Sequence, residues 1–363
     1  MREVEKLNDN YTDEFYDSYD INVDAKQSPI RIDKFLMDRI ERATRNRIQN
    51  AIRAGAIRVD SKEVKPNFKV KPGQVISVVI PHPPGENAQV VPQRIPLDIR
   101  YEDDDLMVIY KPAGMVVHPG VGHHRGTLVN ALAYYFGHHD LPVREGNYQD
   151  RLGLVHRIDK NTSGLLVIAK SEYAMQHLAK QFFHHTIERT YYALVWGEPK
   201  QDTGTIKANV GRHPRFRHLF TVFPEGEAGK WAVTHYKVLE RMYYVSLVQC
   251  NLETGRTHQI RVHMQHIGHP LFNDERYDGN RIVRGTIFSK YKEFVENCFT
   301  VLPRHALHAK SLGFVHPATG KEMYFESDLP ADFQNALTEW RNYIEGRRAI
   351  LNDNVKQWQQ TNP

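Results

Sequence analysis

The spacing of apolar and polar residues predicts a small module in the first quarter of the chain. Four apolar residues recur at helical spacing, at positions 32, 35, 36 and 40. A second helix is expected to follow the N-cap Thr44, to bury one apolar face and to end at Gly55. Short strands are predicted at 57–59 and 75–80. We therefore expect a separate α/β module over residues 26–80.

The rest of the chain alternates between predicted strands and amphipathic helices. Strands are predicted for four apolar runs, which are residues 106–110, 165–169, 191–196 and 244–252. Helices with one apolar face are predicted from residue 128, after Ser171 and from Pro330. Short strands with interspersed helices are typical of an α+β fold. We therefore expect one large mixed-sheet domain over residues 97–350.

Three segments lack either period. Residues 1–25 are acidic and predict a flexible arm. Residues 81–96 contain five prolines, which disfavour helix and sheet and predict a linker between the two domains. Residues 351–363 are polar and predict a frayed tail.

Charge is concentrated in the small module. Residues 30–80 carry twelve Lys/Arg and five Asp/Glu, whereas the whole chain has a formal net charge of +5. A basic domain of this kind is typical of a protein that binds a polyanion, usually nucleic acid. Four arginines on or near the second helix suit phosphate contacts: Arg45, Arg47, Arg53 and Arg58. An ordinary solvated surface is the alternative that charge alone leaves open.

Composition argues against several classes of protein. No run of 18 or more apolar residues is present, so we expect no transmembrane helix. The N-terminus lacks the apolar stretch of a secretory signal. The two cysteines, Cys250 and Cys298, are too few for a disulfide framework or a cysteine zinc site. These features predict a protein of the reducing cytoplasm.

Two patterns suggest cofactor sites but do not satisfy their requirements. The spacing of Gly120, Gly122 and Gly126 differs by one residue from the dinucleotide fingerprint, and no Gly-Lys-Ser/Thr follows. His263 and His266 would share a helix face and reach one metal ion, but no firm third ligand lies nearby. We expect neither a nucleotide site nor a metal site.

The segment His156-Arg157-Ile158-Asp159 directly precedes the predicted strand 165–169. A turn at this place can present a carboxylate at the edge of a sheet, where a substrate reaches it. An ordinary turn with a surface ion pair explains the same residues equally well. If Asp159 is buried it needs a cation, and Arg261, on the predicted helix after Gly255, is a candidate partner.

At these residues the chain resembles the RluA family of pseudouridine synthases over residues 30–335. His156 to Asp159 with Thr162-Ser163-Gly164 resembles the catalytic motif, with Ile158 in place of the usual leucine. Further similar segments are Asp104 to Gly114 with His118-Pro119-Gly120, Arg189-Thr190-Tyr191, Gly255 to Met264 and Leu307 to Pro317. Asn273-Asp274 stands where Gly-Asp is usual, outside the expected catalytic core. The basic module is similar to the alpha-L RNA-binding domain of ribosomal proteins.

The resemblance implies an isomerase that converts uridine into pseudouridine in structured RNA and needs no cofactor and no metal. It implies Asp159 as the catalytic carboxylate, Arg261 as its partner and Tyr191 as a ring that stacks on uracil. Arg157 would fill the space of the flipped base. Other substrate-binding residues implied by the motifs are His156, Thr162, Gly164, Arg256, His258 and Gln259.

The expected partner is RNA, most of all large-subunit ribosomal RNA or a ribosomal assembly intermediate, bound by a monomer without a membrane. Transfer RNA is the alternative substrate. A non-catalytic RNA-binding or ribosome-assembly factor and a metal-dependent nuclease using Asp159 are the alternative classes.

Overall fold

The computed structural model describes residues 16–40, 43–81, 90–118, 125–138 and 153–361, with side chains to residue 349. The chain divides into two compact units. The first comprises Met1–Arg189 and Ser311–Ser327, and the second comprises Thr190–Lys310 and Asp328–Pro363.

The first unit begins with the predicted basic module. Its elements are β1 (Tyr16–Asn22), β2 (Ile30–Arg31), α1 (Ile32–Met37), α2 (Arg45–Arg53), β3 (Ile57–Val59), β4 (Lys62–Glu63), β5 (Lys69–Val70) and β6 (Val75–Pro81). A four-stranded sheet has the order β1-β6-β3-β4, and β2 pairs with β5. The apolar faces of α1 and α2, including Phe35 and Ile48, share one buried core with β3 and β6. Thr44 caps α2 by accepting a hydrogen bond from the Arg47 amide, as predicted.

Strand β1 corrects the predicted extent of the acidic arm. Residues 16–22 pair antiparallel with β6 along their whole length, from Tyr16 opposite Pro81 to Asn22 opposite Val75. Tyr16 is buried at 4% exposure. This strand was missed because its polar residues form no clear alternation, and the apolar β6 supplies the edge that orders it. The remainder of the predicted arm, residues 1–15, lies outside the described residues.

The first unit continues with β7 (Asp98–Glu102), β8 (Leu106–Lys111), α3 (Leu128–His138), β9 (Ser163–Ala169) and α4 (Glu172–Phe183). Strands β7, β8 and β9 pair consecutively and antiparallel. All seven residues of β9 are buried. Ser171 caps α4 by accepting from the Ala174 amide, which confirms the predicted start of this helix.

Helix α4 also packs against the basic module, on the other side of the predicted linker 81–96. Tyr16 and Val79 of the module belong to the same buried cluster as Leu178 of α4. The Lys180 ammonium donates to the Ala54 carbonyl oxygen at 3.0 Å. Residues on both sides of the proline-rich segment 81–96 therefore form one compact unit.

The remaining elements are β10 (Glu188–Trp196), β11 (Thr203–Arg212), β12 (Phe220–Phe223), β13 (Lys230–Met242), β14 (Val245–Leu252), α5 (Gln259–His266), α6 (Ser289–Val301), β15 (Leu307–Val315), β16 (Glu322–Glu326) and α7 (Ala331–Thr361). In the second unit the strand order is β12-β11-β13-β14-β10, with antiparallel pairs throughout. Trp196, Phe272 and Trp340 lie in its main core. In the first unit, β16 pairs antiparallel with Ser311–Val315 of β15.

The strands predicted from the apolar runs are confirmed as β8, β9, β10 and β14, and the α+β class is confirmed by their mixture with helices. Helix α7 continues through most of the predicted tail, to Thr361. Within the described ranges no helix is both long and apolar enough to cross a membrane.

Candidate active site

Asp159 occupies the first position of a tight turn that leads directly into β9. Its carbonyl oxygen accepts a hydrogen bond from the Thr162 amide at 3.1 Å. Asp159 is half-buried and Arg157, two residues earlier, is exposed. The predicted turn before a buried strand is therefore present, with a partly accessible carboxylate at the end of that strand.

A buried lysine holds this turn in place through hydrogen bonds. Lys111, at the end of β8, is fully buried. Its ammonium donates to the carbonyl oxygens of Pro112 at 2.8 Å, Met115 at 2.9 Å and Lys160 at 3.0 Å. The Gly114 amide also donates to the Lys160 carbonyl oxygen, at 2.9 Å. Because an unsatisfied buried cation is costly, these bonds keep the segment beside Asp159 in one conformation.

The role of Lys111 was missed in the sequence, although a signal was present. A lysine that ends an apolar strand, directly before Pro112, is an unexpected residue at a buried position. Its register partner in β9 is Gly164, which adopts φ +121°. The segment Asp104 to Gly114 and the turn of Asp159 are therefore joined through the pairing of β8 with β9.

His156 lies in the interior and braces the same strand. Its Nε2 accepts a hydrogen bond from the Val167 amide at 3.0 Å, and its ring lies 4.7 Å from the ring of Phe182. Burial, together with the nearby charge of Arg189, lowers the pKa of His156 to about 3. The imidazole is therefore neutral at pH 7, with Nε2 as the acceptor. Thr162 is buried as well, at 1% exposure, so the surroundings of both residues favour a structural role over the predicted contact with substrate.

In the second unit, Arg261 of α5 forms a buried bidentate pair with Asp274. Its Nε and Nη2 donate to the two carboxylate oxygens at 2.7 and 2.8 Å. Arg261 is 4% exposed and Asp274 is fully buried. The guanidinium also lies 4.8 Å from the ring centroid of Tyr277. Such a pair fixes the plane of the guanidinium as well as its position.

Asp274, expected outside the catalytic core, thus pairs with a predicted site residue. Thirteen residues separate it from Arg261, so no local period relates the two. Tyr277 was missed for the same reason, and its hydroxyl lies 2.6 Å from Nδ1 of His258. His258 adopts a left-handed conformation, φ +58°, directly before α5, and this bond holds its ring beside the helix.

Gln259 has a structural place in this cluster. Its side-chain oxygen accepts from Thr254 Oγ1 at 2.8 Å and from the Arg256 amide at 2.9 Å. Its Nε2 donates to the Val233 carbonyl oxygen at 2.9 Å and to Thr234 Oγ1 at 3.0 Å. The amide group therefore ties the start of α5 to β13, and these four bonds do not favour the predicted contact with substrate.

Tyr191 lies on β10, opposite Cys250 of β14 in the strand register. It is 7% exposed. Asp159 belongs to the first unit, whereas Tyr191 and Arg261 belong to the second.

The four arginines of the basic module differ in their availability to a ligand. Arg53 is exposed on α2, and Arg58 lies 3.5 Å from Glu63. Arg45 is exposed but donates to the buried Asp33 at 3.3 Å. Arg47 is only 4% exposed, with Nη2 donating to the Pro81 carbonyl oxygen. The surroundings of Arg47 therefore favour a structural role over the predicted phosphate contact.

The histidines considered as metal ligands are separated by their environments. His263 is buried with Nδ1 2.9 Å from Thr234 Oγ1, and His266 is exposed. Among the described residues, the group with suitable spacing is Asp103, Asp105 and His316. Asp103 there accepts from Tyr101 Oη and lies 2.7 Å from His316 Nε2. Asp103 also accepts from two backbone amides. Together these hydrogen bonds stabilise a turn, which explains why the three side chains lie close together. The glycine-rich segment around Gly120 and Gly122 lies outside the described residues.

Comparison with known proteins identifies the class of enzyme. Residues 105–266 match the RNA pseudouridylate synthase family, and residues 30–76 match the S4 domain. The chain is 44% identical over 329 residues to an uncharacterized RNA pseudouridine synthase of Chlorobaculum parvum, covering 89% of this chain and 98% of that protein. It is 41% identical over 307 residues to ribosomal large subunit pseudouridine synthase D of Zymomonas mobilis, covering 84% and 92%.

This chain belongs to the RNA pseudouridylate synthase family and carries an N-terminal S4 domain. The structure of human RNA pseudouridylate synthase domain containing 4 matches with a TM-score of 0.50 and 24% identity, over 67% of this chain and 92% of that one. That likeness supports the fold.

Proposed function

We propose that this pseudouridine synthase isomerises uridines in large-subunit ribosomal RNA, with Asp159 as the catalytic residue. The observation that carries the proposal is the turn of Asp159, which presents a half-buried carboxylate and is fixed by the buried Lys111. The similarity to the Zymomonas mobilis large-subunit enzyme supports the choice of RNA.

The reaction breaks the C1′–N1 bond of uridine and joins C1′ to C5 of the same uracil. The proton on C5 leaves to solvent, and N1 gains a proton, so atoms and electrons balance without a redox partner. Asp159 would begin the reaction by attacking the sugar or the base, or by taking a proton from the ribose. A fixed carboxylate serves each of these routes, since correct placement of the reacting group lowers the barrier.

The second unit would supply orientation and stacking. Arg261, whose plane is fixed by Asp274, would hold the carboxylate of Asp159 in its charged form. Tyr191 would stack on the uracil ring, since an aromatic face suits a flat base. The exposed Arg157 would occupy the space left when the uridine leaves its helix. The S4 domain would add phosphate contacts through exposed cations such as Arg53.

Neither cysteine is suited to act in this chemistry. Cys250 and Cys298 are buried free thiols, and burial raises the pKa of each to about 12. A thiol in such surroundings is a poor nucleophile. We also propose that the protein acts as a monomer in the cytoplasm, and sedimentation of the purified chain tests the monomer.

The experiment is tritium release from ribosomal RNA transcripts labelled at uracil C5. We expect release by the intact chain, with or without EDTA, and none by Asp159→Asn. Asp104→Asn is the matched control, because Asp104 is an exposed carboxylate of the same unit.

Cleavage of the transcript into shorter fragments that EDTA abolishes, without release of tritium, would favour the nuclease alternative. Release from transfer RNA alone would change the substrate. Binding without release from either RNA would leave the assembly-factor alternative.

A further inference from the structure

Two apolar side chains that no step of the proposed reaction uses protrude from the chain directly before α6. Ile287 is 82% exposed and Phe288 is 76% exposed. Both are far more exposed than apolar residues usually are, and an adjacent exposed pair of this kind marks an interaction site.

The backbone beneath this pair is anchored. Tyr291, which is 4% exposed in the main core of the second unit, donates from its hydroxyl to the Arg284 carbonyl oxygen at 2.8 Å. Gly285 adopts φ +104°, and a Cβ at this position would collide with the Tyr291 ring. Val283 packs against the same core. Phe288 is therefore presented from an ordered support.

The charges within residues 281–292 have one sign. Residues 281–292 contain Arg281, Arg284, Lys290 and Lys292 and no Asp or Glu. All four cations are exposed. Arg281 lies 3.5 Å from the exposed Asp278 and Lys292 lies 3.6 Å from the exposed Glu296, and exposed pairs of this kind contribute little. The Arg284 Nη2 donates to the Gly268 carbonyl oxygen at 3.4 Å. Helix α6, which begins at Ser289, has no acidic residue in its first turn.

We propose that Phe288 and the surrounding cations of residues 281–292 form an RNA subsite, in which Phe288 stacks on an unpaired base and Arg284 and Lys290 contact the adjacent phosphates. An aromatic face combined with cations is the chemistry that single-stranded RNA requires. The inference rests on the proposed function, since it assumes an RNA substrate. It adds a contact that would select an RNA with an unpaired nucleotide in addition to the target uridine.

A surface for a second copy of the chain or for another protein is the competing explanation of exposed apolar residues. The charge favours RNA, because the segment 281–292 carries four cations and no carboxylate and so attracts phosphate. Tyr324 on β16 is a contrasting case within the chain: it is 61% exposed, and the same strand carries Glu322 and Glu326. Its acidic surroundings do not suit RNA, which makes it a control.

The test measures the Kd of a large-subunit ribosomal RNA transcript and the kcat and KM of tritium release for the full-length chain. Phe288→Ala is expected to weaken binding about tenfold and to raise KM by a similar factor with kcat unchanged. Phe288→Trp should retain the affinity within about threefold, and Phe288→Leu should behave like Phe288→Ala, because stacking needs a ring. Tyr324→Ala should change nothing.

The charge part of the proposal is tested through the salt dependence of Kd. Lys290→Gln should reduce the slope of log Kd against log salt by about 0.7–0.9. Lys237→Gln, which removes an exposed lysine from β13 of the same unit, should leave the slope unchanged.

Unchanged affinity in Phe288→Ala, or full rescue by Phe288→Leu, would overturn the subsite. So would a dimer of the intact chain that Phe288→Ala dissociates in sedimentation. Loss of RNA affinity in Phe288→Ala together with no tritium release by the intact chain would uphold the subsite and contradict the proposed function. Tritium release by the intact chain together with unchanged RNA affinity in Phe288→Ala would uphold the proposed function and contradict the subsite.

Discussion

The ammonium of Lys111 donates to the carbonyl oxygen of Lys160 across 3.0 Å, and Lys160 is the residue that follows Asp159. Lys111 lies at the end of β8, and Lys160 lies in the turn before β9. The strand pairing that aligns Lys111 with Gly164 places the cation beneath the turn. A residue of the segment Asp104 to Gly114 therefore holds the turn of Asp159 in its conformation.

Lys111→Met is expected to lower kcat of tritium release by about tenfold or more, because the turn of Asp159 loses its fixed conformation. It should also lower the free energy of unfolding by about 2–5 kcal/mol, since the carbonyl oxygens of Pro112 and Met115 lose the ammonium that donates to them and that of Lys160 loses one of its two donors. The control is Lys170→Met, because Lys170 is a buried lysine of the same unit that pairs with Glu102 at 2.7 Å. That variant should lose stability but keep kcat. Equal kcat in both variants, measured where both are folded, would show that Lys111 does not position the turn.

Asp274→Asn is expected to reduce kcat of tritium release about a hundredfold while the Kd for RNA stays within about threefold, because the variant disturbs the plane of Arg261 and not the phosphate contacts. Stability should fall by about 3 kcal/mol, since a buried guanidinium loses its charged partner. Asp332→Asn is the matched control, because Asp332 forms a similar bidentate pair with Arg304, at 2.7 and 3.0 Å, in the same unit. A comparable loss of kcat in the control would assign the effect to folding.

Arg53→Gln and Arg47→Gln are expected to differ although both change an arginine of α2. Because Arg53 is exposed, Arg53→Gln should reduce the slope of log Kd for RNA against log salt by about 0.7–0.9. Arg47→Gln should leave that slope unchanged, because Arg47 is buried. It should lower the melting temperature, because the hydrogen bond from Arg47 to the Pro81 carbonyl oxygen is lost. Point variants test this more cleanly than removal of residues 1–80, because that removal would also delete Val79, which packs in the same buried cluster as α4. A reduced slope in Arg47→Gln would mean that the S4 domain rearranges on RNA.

His156 should make the folded state sensitive to acid. Its pKa is lowered to about 3 in the folded chain, against about 6.5 in the unfolded chain. Between these values the unfolded state binds the additional proton, so the stability due to the neutral imidazole is lost as pH falls below 6.5. Between pH 7 and pH 5 the intact chain should lose about 2 kcal/mol more than His156→Gln. Denaturant unfolding at both pH values checks this, and parallel losses would contradict the burial of a neutral His156.

Local patterns in the sequence were sufficient for most elements of the fold. The period of 3.6 residues located α2 and α4, and continuous apolar runs located β8, β9, β10 and β14. The caps Thr44 and Ser171 marked the starts of two helices, because a side chain that accepts from the first amides acts within a few residues. The motifs placed the chain in its family, and the turn of Asp159 followed from its position before a buried strand.

The sequence by itself determined the amphipathic helices, the strands with continuous apolar runs, the family and the candidate catalytic residues, since each depends on neighbours along the chain. Only the tertiary structure decided that Asp274 pairs with Arg261, that Lys111 supports the turn of Asp159, and that β1 is ordered by β6. It also buried Arg47, which helical spacing alone could not distinguish from Arg53. Each of these results joins residues distant in sequence, and the desolvation of a charge depends on everything packed around it, which no local period records.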